Sequence, residues 1–161
     1  APRGMKLPRQ YYEPMPDHLP CLSHCCTTPG FDLYAFYYRD VLHTNGFTME
    51  NPWLDEASRM DPYSYRIALN TETARRRGIR DGDTVWVESS TGRRVSGRVK
   101  LTEGIHPEGV GIAACAGHWS RHQPVARGKG VFFNDLLEVD YEHTSPVNLN
   151  LDLCAKVKVT T

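Results

Sequence analysis

The chain has 161 residues, 40% of them hydrophobic and 24% charged, which suits one folded domain and excludes a disordered chain. Nineteen Lys and Arg balance nineteen Asp and Glu, so neither nucleic acid nor an anionic membrane is expected to be bound through broad electrostatics. No apolar run is long enough to cross a bilayer, and the N-terminus lacks the charged-then-apolar pattern of a secretory signal. In chain order, residues 1–30 carry Pro2, Pro8, Pro14, Pro16, Pro20 and Pro29. Each proline fixes φ and removes a donor, which predicts an extended arm or linker. Phe31, Tyr34, Phe36, Tyr37 and Tyr38 predict a buried strand. Asn45-Gly46, Asn51-Pro52 and Asp61-Pro62 mark breaks, and Trp53 to Ala57 predicts a helical turn or two between the last pair.

Ile67 to Leu69 reads as a strand. Asn70 is then a helix N-cap, with Glu72 in the first turn and Gly78 closing a short helix over 71–77. Asp81-Gly82-Asp83 is a turn. Residues 84–89 alternate as a half-buried strand, Thr91-Gly92 turns the chain, and residues 93–101 return with Val95, Gly97, Val99 and Leu101 on one face. Val110 to Cys115 predicts a compact strand that places Cys115 in the core. Residues 120–130 predict a loop, and Asp135 to Leu137 a short helix. The last strand is expected to put Leu153, Ala155, Val157 and Val159 on one face and Cys154, Lys156 and Lys158 on the other. Several short strands with few helices predict a mainly β chain with short helices, closed as a barrel.

The five cysteines are Cys21, Cys25, Cys26, Cys115 and Cys154. Their odd number argues against a closed disulfide framework and for reduced thiols. Cys21-x3-Cys25-Cys26, flanked by His18 and His24, departs from the local spacings of zinc and iron–sulfur sites. No metal ligand and no catalytic residue is expected on this basis. No Ser/His/Asp or Cys/His arrangement has the local context of a hydrolase.

The block Asn70-x3-Ala74-x3-Gly78-Ile79-x-Asp81-Gly82-Asp83-x-Val85-x-Val87-x-Ser89-x2-Gly92 resembles the signature of the molybdopterin-dinucleotide-binding domain. That domain closes the catalytic subunits of the dimethyl-sulfoxide-reductase superfamily. Ile105-x-Pro107, Gly117-His118-Trp119, Gly130-x3-Asn134-x-Leu136, Pro146 and Val157-Lys158-Val159 are similar in the same order, as is Tyr38-Arg39-x3-His43-Thr44 before them. The resemblance covers residues 31–161 and implies a double-psi β-barrel preceded by the extended Pro-rich arm. Tyr11-x2-Pro14 and Asn51-Pro52-Trp53-Leu54 look most similar to the polysulfide, thiosulfate and phenylacetyl-CoA oxidoreductase branch.

The resemblance implies that the chain holds bis-molybdopterin guanine dinucleotide with molybdenum or tungsten, the metal ligand lying outside this chain. Its expected partners are the remainder of the molybdopterin catalytic subunit and an iron–sulfur electron-transfer subunit. Iron–sulfur clusters are expected only in those partner regions. The resemblance leaves the compartment open between the cytoplasm and the periplasm of a prokaryote, with any membrane association made through partners, and the chain alone is not expected to turn over substrate, because the cofactor carries the redox chemistry. The residues expected at the cofactor are Arg39, His43, Thr44, Asn45, Thr48, Gly117, His118, Trp119 and Asn134, all in turns after predicted strands. A pterin dinucleotide needs hydrogen-bond partners for its rings and backbone N–H groups or cations for its pyrophosphate. Simpler roles stand beside these: Arg39 and Asp40 as a surface pair, His43 and His118 as ordinary hydrogen-bonded histidines, Asn134 as a helix cap, Trp119 as packing. A non-enzymatic double-psi barrel acting as a recognition module is the competing reading.

Overall fold

The computed structural model describes residues 22–145 and 149–161, together with Met15, His18 and Pro20. Most of the expected arm over 1–30, Cys21 and Pro146 lie outside the described residues. Six strands close a barrel: β1 (Leu33–Tyr38), β2 (Ile67–Asn70), β3 (Thr84–Ser89), β4 (Arg94–Thr102), β5 (Gly109–Ala113) and β6 (Cys154–Thr160), in the spatial order β1-β5-β2-β4-β3-β6. β1 runs parallel to β5 and β2 parallel to β4, while β2 and β5 are antiparallel neighbours. Two parallel crossovers therefore interlock within one closed barrel, which is the double-psi arrangement.

Alternation builds the interior. Val85, Val87, Val95, Val99, Val157 and Val159 point inward with Leu33, Ala35, Ile67, Leu69, Val110 and Ile112. On the outer face of β3, Trp86 carries the Arg94 guanidinium 4.6 Å from its ring. β5 is buried along its whole length. Its glycines allow this: a Cβ on Gly111 would stand 3.2 Å from the Tyr38 ring. Closing the barrel leaves no open edge for these strands.

Two short helices flank the sheet. α1 (Pro52–Ser58) starts where the Asn51 side chain accepts from the N–H of Trp53 and Leu54, with Pro52 in the first turn, a position that lacks an intrahelical donor in any case. α2 (Thr71–Arg76) is capped by Asn70, whose Oδ1 accepts from Glu72 and Thr73 N–H. The same amide donates to the Ile105 carbonyl at 2.8 Å, so one side chain joins β2, α2 and the entry to β5.

The strand ends differ from expectation in two places. β5 stops at Ala113. Cys115 lies beyond it with φ of 72° and is only half-buried. The chain turns there because Ala114 N–H donates to the Tyr38 carbonyl and Gly117 N–H to the Lys129 carbonyl. Leu153, expected on the inward face, precedes β6 and is 47% exposed. Pairing of β6 with β1 begins at Cys154, opposite Phe36, so inward alternation starts at Ala155. The helix expected at 135–137 is a single 3-10 turn over Phe133–Leu136, and a second such turn, Gly46–Glu50, follows Asn45.

Candidate functional site

The C-terminal ends of β1 and β5 lie side by side because the strands are parallel. The chain leaves both at the same end of the barrel, where loops of separate origin can converge. A cavity of about 340 Å³ opens there, walled by Tyr37, Ala113, Ala114, Phe132 and Leu153, with His118 and Asn134 as polar points. That volume falls at the lower end of the range for small-molecule sites, which combine apolar walls with a few placed polar groups.

His118 sits under the mouth with its ring 5.4 Å from that of Phe132. Its Nδ1 is buried and has no hydrogen-bond partner among the described residues. An unsatisfied buried ring nitrogen costs free energy, about 1–3 kcal/mol for a neutral group, unless something else reaches it. Asn134 lies inside the 3-10 turn, exposed, while Phe132 occupies the cap position without a side-chain bond. Capping therefore does not account for Asn134. Its amide, which offers both donor and acceptor, borders the cavity instead.

Two glycines make the approach possible. Gly117 has φ of 84°, and a Cβ there would fall 2.0 Å from the Phe132 nitrogen. Gly130, with φ of 71°, would place its Cβ 2.3 Å from that of Ala116. Only glycine suits both the left-handed backbone and the contact. Together they press residues 116–118 against residues 130–132.

The loop after β1 is arranged differently. Arg39 donates to the Thr44 carbonyl, whereas Asp40 is buried and accepts from Ser64 Oγ at 2.8 Å and Leu42 N–H at 2.9 Å. The two neighbours therefore do not form a pair with each other. Asn45 Oδ1 accepts from Phe47 N–H at 3.0 Å, and Thr48 Oγ donates to the Asn45 carbonyl at 2.7 Å. His43 is 1% exposed. Its Nδ1 faces Thr48 Oγ at 3.2 Å, and its Nε2 faces Ser58 Oγ at 2.9 Å and the Tyr65 hydroxyl at 3.1 Å. Thr44 is exposed. A Cβ on Gly46 would stand 3.0 Å from His118 Nε2, so this loop touches the imidazole although none of its residues lines the cavity. Trp119 is half-exposed beneath the Arg127 guanidinium, 4.4 Å from its ring.

Behind the loops lies a polar frame. Asp55 accepts from Tyr65 at 3.2 Å and pairs with Lys129 at 2.5 Å. Burial works against its charge, but Lys129 and the Tyr65 hydroxyl together hold its carboxyl below the usual range. Burial raises the Tyr65 phenol, with Asp55 adding to the effect. Glu50 accepts from the N–H of Val125 and Ala126 at 3.0 and 3.1 Å. α1 and the turn before it thereby anchor the 120–130 loop. Burial also pushes up the Cys115 thiol at the cavity wall.

The structure thus brings His118 and Asn134 to one cavity. It assigns Arg39, His43, Asn45 and Thr48 to bonds within and beneath the first loop. Tyr37, Cys115 and Phe132 at the cavity wall, and Gly46 and Gly130 packed against His118 and Ala116, were not singled out from sequence for this site. A glycine beside a turn signal was visible at Gly46, but its contact with His118 joins segments distant in the chain.

Comparison with known proteins identifies the family. Residues 33–149 match the family model described as molydopterin dinucleotide binding domain. The thiosulfate reductase molybdopterin-containing subunit PhsA of Salmonella typhimurium is 29% identical over 117 residues, which are 73% of this chain and 14% of that protein. Acetylene hydratase from Pelobacter acetylenicus superposes with a TM-score of 0.64 at 17% identity, over 81% of this chain and 18% of that one. At such identity the likeness is one of fold. The chain spans less than a fifth of either relative's length.

Proposed function

The chain belongs to the molydopterin dinucleotide binding domain family, and on that premise we propose that its cavity at the ends of β1 and β5 holds the pterin portion of bis-molybdopterin guanine dinucleotide within a larger oxidoreductase. The observation that carries the reading is the convergence of an unpartnered His118 Nδ1 and the exposed Asn134 amide on one apolar cavity. A fused heteroaromatic ring has apolar faces and a hydrogen-bonding edge. The walls suit the faces, and His118 and Asn134 suit the edge.

In this reading His118 and Asn134 bind and orient the ring. Gly117 lets the chain pass close enough to present His118. Trp119 covers the approach as part of a stacked pair with Arg127. Arg39, Asn45 and Thr48 set the conformation of the first loop, leaving exposed Thr44 to face the ligand, and His43 ties that loop to α1. When bound, the molybdenum- or tungsten-bearing group supplies two-electron redox chemistry. This chain supplies binding, orientation and exclusion of water. The metal ligand and iron–sulfur centres belong to the remainder of the catalytic subunit and to an electron-transfer subunit. Similarity to a thiosulfate reductase subunit favours a sulfur compound as the substrate of the whole enzyme.

The test is cofactor retention. In the assembled enzyme, His118→Ala and Asn134→Ala are expected to lower the pterin and metal content per chain, each by about tenfold, equivalent to roughly 1.4 kcal/mol. Full retention in both variants would return the chain to the recognition-module reading.

A further inference from the structure

β2 runs parallel to β4 with Ile67 opposite Val99. Arg66, just before β2, therefore stands beside Arg98 of β4. Ile67 and Val99 point into the barrel, which turns the two arginines to its outside. Both border a cavity of about 500 Å³ that Arg59, Lys129, Ser96 and Gly128 also line. No described residue borders both this cavity and the one at the ends of β1 and β5. Tyr65 enters it with φ of 63°, a left-handed backbone that is uncommon outside glycine and costs energy to hold. That turn delivers Arg66 to the wall.

Like charges side by side on paired strands repel. Neither guanidinium forms an ion pair among the described residues. Arg98 Nε donates to the Gly82 carbonyl at 3.2 Å, and Arg66 acts on the Asp81 carboxyl through space. The other two cations are partly neutralised: Lys129 pairs with Asp55 at 2.5 Å and Arg59 with Glu56 at 2.9 Å. Asp61, a carboxylate on the same wall, already accepts from Tyr63 N–H at 2.8 Å and Ser64 Oγ at 3.3 Å. The cavity thus gathers cations from three separate segments of the chain, with the strongest excess of charge at Arg66 and Arg98.

We propose that this cavity is a binding site for an oxyanion of the phosphate class, with diphosphate its best-fitting form, held between Arg66 and Arg98. A guanidinium offers a planar fork that matches phosphoryl oxygens. Two such forks side by side suit two linked phosphoryl groups, and the Ser96 hydroxyl supplies a further donor. The anion also removes the repulsion between the arginines. The assignment does not rest on the pterin reading, because the site is complete in this chain without the pterin cavity.

The test uses the full 161-residue chain without pterin, titrated calorimetrically with inorganic phosphate, diphosphate and a nucleoside diphosphate at constant ionic strength. Diphosphate is expected to bind at one saturable site with a dissociation constant of about 0.1–1 mM, more tightly than phosphate. It should also raise the melting temperature beyond the effect of potassium chloride at the same ionic strength. Tighter binding of the nucleoside diphosphate than of diphosphate assigns the anion to a nucleotide; equal binding assigns it to the free ion. Arg66→Gln and Arg98→Gln are each expected to weaken diphosphate binding about tenfold or more, while Arg75→Gln, which removes the same charge from exposed α2, binds as the parent does. Circular dichroism establishes that each variant keeps the barrel, and Arg98→Lys serves if Arg98→Gln unfolds. Non-saturable binding to the parent, a Arg66→Gln variant that binds like the parent, or an equal loss in Arg75→Gln would overturn the site and leave diffuse attraction to surface charge.

Discussion

Gly46 lies against the imidazole of His118, so closely that a Cβ there would meet Nε2 at 3.0 Å. The first loop therefore shapes the cavity from outside by filling the space behind His118. Gly46 does not have positive φ, so a side chain there meets crowding rather than backbone strain. Gly46→Ala is expected to cost less than about 1 kcal/mol of stability, and Gly46→Val about 1–3 kcal/mol. Both should displace the ring and lower cofactor retention, with Val worse than Ala. Thermal unfolding and pterin content measured together check this; unchanged retention in Gly46→Val would disconnect the loop from His118.

Asn70 uses both ends of its amide, accepting at the start of α2 and donating to Ile105. Asn70→Ala removes the cap and leaves the Ile105 carbonyl without this donor. A loss of about 2–3 kcal/mol is expected from the two contributions. Asn70→Asp keeps the acceptor but loses the donor, so it should fall between. Denaturant titration ranks the three proteins, and equal stability of the Ala and Asp variants would show that the cap contributes nothing.

His143 is gripped by two carboxylates, with Nδ1 at 2.8 Å from Asp140 and Nε2 at 2.9 Å from Glu138. Burial disfavours its charge, but the Asp140 hydrogen bond and charge, with Glu138 and Asp152, outweigh this and raise its pKa above the ordinary 6.5. Folding thus favours the protonated ring. Its contribution is complete below the unfolded value of about 6.5 and is lost as pH rises through the raised folded value. An NMR titration should place the His143 midpoint above 6.5, and Asp140→Asn should move it down. A parent midpoint at or below 6.5 would remove the clasp.

Much of the fold was legible locally. The alternation at 84–89 and 93–101, the Asn70 cap and the turn at Asp81-Gly82-Asp83 all depend on neighbours within a few residues. The Asp81 carboxylate, expected only to turn the chain, also accepts from Leu101 N–H at 2.7 Å. The site was legible as a set of turns after strands, but not as a division of labour. His43 and His118 look alike in sequence. One is surrounded by Thr48, Ser58 and Tyr65, and the other keeps a bare nitrogen beside a cavity, a difference set by which distant loop packs on each ring.

The mainly β class, the positions of most strands, the capped helix at α2 and, through ordered motifs, the family can be read from the order of residues alone. These follow from hydrophobic period, φ preferences and side-chain bonds to nearby backbone, all short-range. Barrel closure, by contrast, moves Cys115 from the barrel interior to the smaller cluster of Met49, Ala116 and Ala126, exposes Leu153, brings His118 and Asn134 to one cavity and sets His24 against Cys154. Each depends on barrel closure, in which parallel pairing of β1 with β5 and the β1–β6 register bring together residues far apart in the chain. No local pattern encodes such a meeting, because its geometry comes from the packing of the whole barrel.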